Sequence, residues 1–350
     1  MRSGPLIPFL LLIGVAAAQQ PAVGPELFQL LRKNVGISAR DLSAGLLTRR
    51  ALAVVLPAHE RGEVAVAGVE CLHVPLEFFL DAFTVMPTLK RGHQVLQIRH
   101  FSSPPVQQDL QPLVLGPQDV QALSRCTPGD CGVKLSAAMM EHFRSRGLRH
   151  SSLDDDFRKA ILQYVDRYLA GGNAAMITYD DKIPPVPSLA EFRALLHEVN
   201  WLNQTAPPLY KCLDSFSGAA CPQIDSFVYW SSALFGLKPV FSVTQTMIDR
   251  TVRVDRPWLF IAFKQLYADH YFDGSLGLAV LVEQSADPAN PELWVAYINR
   301  THTDALSGWL GPLKRSIAER RSRGAMQRTL LDLKATLESK YSLSLQPSGK

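Results

Sequence analysis

The chain has 350 residues, of which 47% are hydrophobic and 19% are charged, and its formal net charge is +4 at pH 7. This composition is typical of a folded globular protein and excludes an intrinsically disordered chain. The length allows one large domain or two ordinary ones, and the small net charge gives no reason to expect nucleic acid as a partner.

The first 18 residues predict a signal peptide. Arg2 supplies a positive charge, residues 6–15 are mostly apolar, and Ala16-Ala17-Ala18 matches the small residues that precede a cleavage site. A membrane anchor is the alternative, but the apolar run is far shorter than the roughly 20 residues that a spanning helix needs. We therefore expect cleavage and export, to the periplasm or outside the cell.

Residues 19–50 predict an N-terminal helical segment, because Leu27, Leu30 and Leu31 fall on one face of a helix. Alternating apolar residues then predict strands, and Pro75 stands where proline is favoured in the first turn of a helix. A strand, a short helix and a second strand are expected at 63–74, 76–83 and 94–101.

A mainly helical block is predicted at about 105–235. Its clearest helix covers 154–169, where acidic residues fill the first turn and apolar residues repeat at helical spacing. The aromatic-rich run from Ile224 to Leu234 is also predicted to be helical. The block therefore separates two β-rich parts of the chain.

Five cysteines follow the predicted cleavage point, and four of them form close pairs. Cys126 and Cys131 bracket a Pro-Gly-Asp turn, and Cys212 and Cys221 bracket a loop with glycine and alanine. In an exported protein these spacings predict two local disulfides, with Cys71 left over.

Two metal-site interpretations are weaker than the disulfide prediction. Cys126 and Cys131 could bind zinc together with His142 or His150, but a second close pair of ligands is missing. Asp269 and His270 are neighbours on a predicted strand, so their side chains are expected to point to opposite faces. We therefore expect no metal and no cofactor.

The C-terminal third predicts strands followed by one long helix. From about residue 304 to about residue 340 the apolar spacing is helical. The predicted strands are Val240–Ile248, Trp258–Phe272, Leu276–Val282 and Leu293–Arg300.

This order of elements resembles the helix-grip fold of START-like lipid-binding proteins, in which a long C-terminal helix lies in the concavity of a curved antiparallel sheet. The resemblance implies an opening strand and helix at Glu63–Phe83 and a closing helix at Pro312–Glu338. It also implies later strands at Phe241–Ile248, Trp258–Phe272 and Trp294–Arg300. We expect an α+β domain at 51–345, with a mainly helical insertion at about 105–235.

The chain is also similar to a group of uncharacterised exported bacterial proteins. The likeness rests on a Cys-x-Pro-Gly-Asp-Cys turn, here Cys126–Cys131, and on a Tyr-Phe-Asp-x-Ser-Leu-Gly-Leu segment, here Tyr271–Leu278. It implies no particular activity.

The strand Trp258–Phe272 carries the predicted ligand-binding residues. Alternate residues from Leu259 onward form one face of this strand, and that face turns polar toward the end of the strand. We therefore expect the opposite face, which begins at Trp258, to point inward. A concave apolar wall with a few polar groups suits a small molecule. Alternatively, Lys264 reaches solvent with its ammonium group and His270 is a structural histidine. The predicted ligand-binding residues are Lys264, His270, Phe260 and Leu266.

The closing helix carries a cluster of basic residues between its two apolar stretches. One interpretation is a basic amphipathic face that contacts anionic lipid head groups. The alternative is the solvated side of a helix that packs on the core. The predicted membrane-contact residues are Lys314, Arg315, Arg320 and Arg321.

Signatures of enzymes are mostly absent: the sequence has no Gly-x-Ser-x-Gly elbow and no phosphate-binding glycine loop. Our leading hypothesis is therefore non-catalytic binding or transport of a lipid or another apolar small molecule. One alternative is a secreted hydrolase that uses His270 with Asp269 or Asp273. Another is a cell-envelope interaction protein that has no ligand pocket.

Overall fold

In a computed structural model of the chain, the described residues are 24–48, 51–60, 62–84, 95–145, 153–235, 238–250, 258–306 and 311–346. The predicted signal peptide at 1–18 lies outside them, as do residues 19–23 of the predicted N-terminal helical segment. In its described part, that segment forms helices from Pro25 to Asn34 and from Ala39 to Thr48, and Leu27, Leu30, Leu31 and Leu42 are buried.

An antiparallel sheet of eight strands organises the fold. Its strands are β1 (Leu52–Val55), β2 (Glu63–Leu72), β3 (Val95–His100), β6 (Ile224–Phe235), β7 (Lys238–Asp249), β8 (Trp258–Ala268), β9 (Phe272–Ser285) and β10 (Glu292–Thr303). They lie in the order β1-β2-β10-β9-β8-β7-β6-β3. Two short strands, β4 (Thr178–Tyr179) and β5 (Val186–Pro187), pair separately.

The helices comprise an N-terminal group, one helix between β2 and β3, a group between β3 and β6, and one long closing helix. The expected α+β class, with an antiparallel sheet, a helical insertion and a long C-terminal helix, is confirmed. The helices are α1 (Pro25–Gln29), α2 (Ala39–Thr48), α3 (Leu76–Thr84), α4 (Pro117–Leu123), α5 (Ala137–Ser145), α6 (Leu153–Gly171), α7 (Ser188–His197), α8 (Leu202–Thr205), α9 (Pro207–Ser215) and α10 (Gly311–Ser344).

The prediction of a helix from Ile224 to Leu234 is wrong, because this run forms β6. The strand pairs with β7 along its whole length and with β3 on its other side. Val228 and Trp230 pack into the core beneath the helices, whereas Phe227 and Tyr229 face the other way. Aromatic residues with this period-2 alternation favour a strand.

Both predicted disulfides are confirmed. Cys126 and Cys131 are bonded with a Cα–Cα distance of 4.5 Å, and Cys212 and Cys221 are bonded with a Cα–Cα distance of 5.9 Å. Cys71 is buried on β2 and belongs to neither bond. In the parts of the chain that are described, no helix combines the length and the apolar character needed to cross a membrane.

The two faces of the sheet are covered by different helices. We call the side packed against the helices between β3 and β6 the insertion face, and the opposite side the closing-helix face. Phe260, Ala262 and Leu266 of β8 belong to the core on the insertion face. Leu259 and Ile261 pack with α3 and α10 on the closing-helix face. The face of β8 that we expected beneath the closing helix therefore lies beneath the insertion.

The closing helix α10 packs closely along β2. A Cβ atom at Gly68 would lie 2.5 Å from Leu330 Cδ1 and 2.8 Å from Met326 Cγ, so the absence of a side chain permits this approach. Further along, the Lys334 ammonium donates to the carbonyl oxygen of Cys71. It also lies 3.7 Å from a carboxylate oxygen of the buried Glu70. This ammonium therefore offsets a charge that burial alone would disfavour.

A side chain at Gly68 should separate α10 from the sheet. We expect Gly68→Val to lower the free energy of unfolding by about 1–3 kcal/mol, the usual cost of overpacking a filled site. The matched control is Gly324→Ala within α10, where a new Cβ would meet only the flexible Arg328 side chain at 3.4 Å. That change should raise the free energy of unfolding by up to about 1 kcal/mol through helix propensity. Urea denaturation measures both, and equal effects of the two changes would contradict this packing.

Candidate functional site

The structure places three of the predicted ligand-binding residues together on the insertion face. Phe260, Lys264 and Leu266 are buried there between the sheet and the inserted helices. They do not lie beneath α10, although their role in ligand binding stays a prediction. The fourth residue, His270, lies beyond the end of β8.

Lys264 is fully buried, and its ammonium group does not reach solvent. Its Nζ atom donates to the hydroxyl oxygen of Tyr168 at 3.1 Å and to Oδ1 of Asn173. It also lies over the rings of Tyr168 and Phe192, at 5.2 and 4.4 Å from their centroids. Burial lowers the pKa of Lys264 to about 7, because these neutral partners do not compensate the charge fully.

A second buried lysine, Lys134, has the opposite electrostatics. Its ammonium lies 2.7 Å from the carboxylate of Asp273, 3.3 Å from that of Asp304 and 3.8 Å from that of Asp181. Burial alone would lower the pKa of Lys134, but the three carboxylates outweigh burial and raise it. Asp273 therefore belongs to an ion-pair cluster and not to the surroundings of His270.

Replacement of each lysine by methionine should change the stability of the protein in a different way. Because the folded-state pKa of Lys264 is about 7, below the ordinary 10.5, the unfolded chain binds more protons between these values. Lys264 therefore makes stability rise with pH across this window, and this contribution is lost as pH falls through about 7. Lys264→Met should flatten the rise. Lys134→Met should cost about 3 kcal/mol at neutral pH, because it removes the buried partner of three carboxylates and leaves the partly exposed Lys182 beside Asp273 and Asp304.

Urea denaturation of both variants at a series of pH values measures these effects. If Lys264→Met left the pH dependence of stability unchanged, Lys264 would not be a buried, weakly compensated base.

His270 lies in a cluster with two aspartates. β8 ends at Ala268, and the backbone turns at Tyr271, which has a φ of 59°. As a result Asp269 and His270 do not alternate as they would on a strand, so the expectation that they point apart is wrong. Their ligand atoms and one from Asp119 all lie within 4.8 Å of one another. His270 Nε2 is 3.1 Å from Asp119 Oδ1.

The cluster combines buried carboxylates with two cationic partners. Burial raises the pKa of Asp269 to about 7. Burial would also raise the pKa of Asp119, but hydrogen bonds from His270 and Lys238 outweigh it and lower that pKa. The pKa of His270 is raised, because its bond to Asp119 outweighs the opposing effect of burial. The Lys238 ammonium lies 3.1 Å from Asp119 Oδ1 and is the most exposed of the four side chains, at 31%.

Sequence reasoning missed Asp119 and Lys238. Asp119 lies in the first turn of α4, far from His270 in sequence, and Lys238 begins β7. No local spacing signals that they meet. Only the folding of α4 against the ends of β7 and β8 brings them to His270.

The closing-helix face of the central strands carries a different set of groups. Phe227, Phe263 and Tyr297, which we call the aromatic belt, are half-buried. Phe263 lies 5.7 Å from Tyr297 and 6.0 Å from Phe83 of α3, as ring centroids. A Cβ atom at Gly277 would lie 2.5 Å from the Tyr297 hydroxyl oxygen, so glycine leaves room for this ring.

Beside the aromatic belt lies a set of uncharged polar side chains, which we call the hydroxyl row. Ser231 and Ser242 are hydrogen-bonded at 3.1 Å across β6 and β7, and Ser275 and Thr301 at 2.8 Å across β9 and β10. Strand register and alternation place the whole row on the closing-helix face. Its members, all buried or half-buried, are Tyr229, Ser231, Ser242, Thr244, Gln265, Ser275, Asn299 and Thr301.

The predicted membrane-contact residues divide into two groups. Lys314, Arg320 and Arg321 are exposed on α10. Arg315 instead donates from Nη1 to the carbonyl oxygen of Glu63 at 2.8 Å and holds the start of α10 against β2. Large apolar side chains are exposed on the same helix, namely Leu313 at 60%, Ile317 at 42% and Leu331 at 46%.

Comparison with protein-family models found none that matches the chain, and a search of curated proteins found no match. The functional proposals therefore depend on the arrangement of residues and on the architecture of the sheet and helices.

Proposed function

We propose that this protein is a non-catalytic binding protein for a lipid or another apolar small molecule with an uncharged polar end, held on the closing-helix face. The observation that carries the proposal is the contact between the aromatic belt and the hydroxyl row on one half-buried surface. An apolar surface with a few convergent polar groups is what small-molecule sites share.

The polarity of this surface changes along the strands. Near α3 it is apolar, with Leu259, Ile261 and Leu281 packed against Leu337 of α10. The aromatic belt follows, and the hydroxyl row lies beyond it. An amphipathic molecule aligned with the strands would therefore place its chain against apolar side chains and its polar end against hydroxyl and amide groups. Since every member of the hydroxyl row is uncharged, an ester, amide or hydroxyl end group suits it better than an ionised one.

The architecture of the sheet and the C-terminal helix adds support to the proposed ligand binding. An antiparallel sheet with a long C-terminal helix packed along one of its strands resembles START-like lipid-binding proteins, in which that helix and the sheet enclose a ligand. Fold likeness alone does not give function, so the proposal depends on the aromatic belt and the hydroxyl row. The hydrolase alternative loses one of its two aspartates, because Asp273 pairs with Lys134 at 2.7 Å, whereas Asp269 lies beside His270.

Two neighbouring serines of β6 provide a matched test. Ser231 belongs to the hydroxyl row, whereas Ser232 points to the opposite face, and both are half-buried. We expect Ser231→Trp to weaken uptake of a monoacylglycerol at least about tenfold, or about 1.4 kcal/mol, by filling the proposed site. Ser232→Trp should leave uptake within about twofold.

Native mass spectrometry and fluorescence titration with the monoacylglycerol measure uptake, and circular dichroism checks that both variants fold. Failure of the wild-type protein to bind the monoacylglycerol, or equal uptake by both variants, would contradict the proposal.

The exposed side of α10 favours a second candidate function, contact with an anionic lipid surface. At 100° per residue, Leu313, Ile317 and Leu331 fall on one side of the helix together with Arg320 and Arg321. Exposed apolar side chains flanked by arginines suit the interface between lipid head groups and acyl chains.

Vesicle sedimentation tests this second function. We expect the protein to bind vesicles that contain phosphatidylglycerol, and we expect Arg320→Gln with Arg321→Gln to weaken binding because two contacts to anionic head groups are lost. Added salt should also weaken binding. The matched control replaces Arg125 and Arg144, two exposed arginines of the insertion, by glutamine. Similar losses in both double variants would show that net charge alone is responsible.

A further inference from the structure

We propose that Asp119, Asp269 and His270 form a binding site for a divalent transition metal ion of the zinc type, at the ends of β7 and β8. The site lies apart from the aromatic belt and the hydroxyl row and does not depend on the ligand proposed for them. One imidazole nitrogen and two carboxylate groups supply the ligands.

The spacing of the ligand atoms fits one ion. His270 Nε2 and Asp119 Oδ1 are 3.1 Å apart, and all three ligand atoms lie within 4.8 Å of one another. Around a tetrahedral zinc ion with bonds of about 2.0–2.2 Å, neighbouring ligand atoms are about 3.3–3.6 Å apart. Binding of an ion therefore requires the most distant pair of ligand atoms to approach by at most about 1.5 Å, through rotation of the carboxylate side chains.

The chemistry of the ligands selects the type of ion. Imidazole nitrogen with carboxylate oxygen suits Zn²⁺, whereas Mg²⁺ prefers oxygen ligands alone. Three protein ligands also leave a fourth position of a tetrahedral ion open. All three residues are buried, so a bound cation would offset the desolvation of the two carboxylates.

The backbone holds Asp269 in place before any ion binds. Its N–H donates to the carbonyl oxygen of Phe241 at 3.1 Å, and its own carbonyl oxygen accepts from the N–H of Lys134 at 2.8 Å. The N–H of Phe241 donates to Asp269 Oδ1 at 2.9 Å. Groups that orient a ligand in this way increase metal affinity, because less order must be gained on binding.

Lys238 is the competitor of the ion. Its ammonium lies 3.1 Å from Asp119 Oδ1, the same oxygen that contacts His270. It is half-exposed, whereas His270 and the two aspartates are buried. A metal ion bound to Asp119 would repel this ammonium, so ion and ammonium exclude each other. Lys238 can swing toward solvent and open the way to the site.

A second buried histidine, His302, also has two carboxylate neighbours, but their positions do not suit a metal site. Glu191 lies 2.7 Å from His302 Nδ1, and Glu60 lies 3.7 Å from His302 Nε2. The two carboxylates therefore contact opposite sides of the ring and cannot share one ion with it. His302 is a matched control for His270, since both are buried and paired with carboxylates.

The test is titration of the chelator-treated, metal-free protein with Zn²⁺ in a calorimeter, with bound metal counted by mass spectrometry. We expect one zinc ion per chain, and no displacement by an equal concentration of Mg²⁺. Asp119→Asn and His270→Ala should each weaken zinc binding at least about tenfold. His302→Ala should leave it unchanged.

Lys238→Met keeps all three ligands and removes the competitor, so it should tighten zinc binding severalfold. This variant also keeps the proposal falsifiable if His270→Ala does not fold. Zinc binding that is unaffected by both Asp119→Asn and His270→Ala would overturn the site. So would the absence of zinc binding to the wild-type protein and to Lys238→Met.

Discussion

The pairing of β2 with β10 is the constraint on which the rest of the structure depends. It joins β2, from the first quarter of the chain, to β10, the last strand in chain order. The two strands are antiparallel, with Leu293 beside Leu72 at one end and His302 beside Glu63 at the other. Once β2 is held there, Gly68 and Glu70 lie where α10 must pass. The close approach at Gly68 and the ammonium of Lys334 beside Glu70 then fix the helix along this strand.

That constraint gives the two faces of the sheet different roles. The inserted helices cover the insertion face, where even the Lys264 ammonium is hydrogen-bonded to neutral side chains and has no access to solvent. On the other face, α10 follows β2 at one side and α3 covers one end of the strands. The aromatic belt and the hydroxyl row lie between them. The proposed ligand site and the proposed metal site therefore use separate surfaces of one sheet.

The sequence predicted those features that depend on local patterns. Period-2 alternation indicated most strands, helical spacing indicated α6 and α10, and the short cysteine spacings indicated both disulfides. It predicted the wrong face of β8 beneath α10, because residues on both faces of this strand are mostly apolar and buried. Alternation of apolar and polar residues shows which face of a strand is buried only when the other face is polar.

The His270 cluster was missed for a related reason. The strand predicted from the sequence continued to Phe272 and so placed the side chains of Asp269 and His270 on opposite faces. In the structure the strand ends at Ala268 and the chain turns. Asp119 and Lys238 reach the cluster only through tertiary packing, which has no signal in local sequence. Long-range partners of this kind require the structure.

The central claim is that the closing-helix face holds a ligand while the insertion face is closed. Photo-cross-linking with a monoacylglycerol that carries a diazirine in its chain tests it most directly, with the labelled residues identified by tandem mass spectrometry. The claim predicts labels on Phe263, Tyr297 and their neighbours in the aromatic belt and the hydroxyl row. Labels on Phe260, Lys264 and Leu266, on the opposite face of the same sheet, would contradict it.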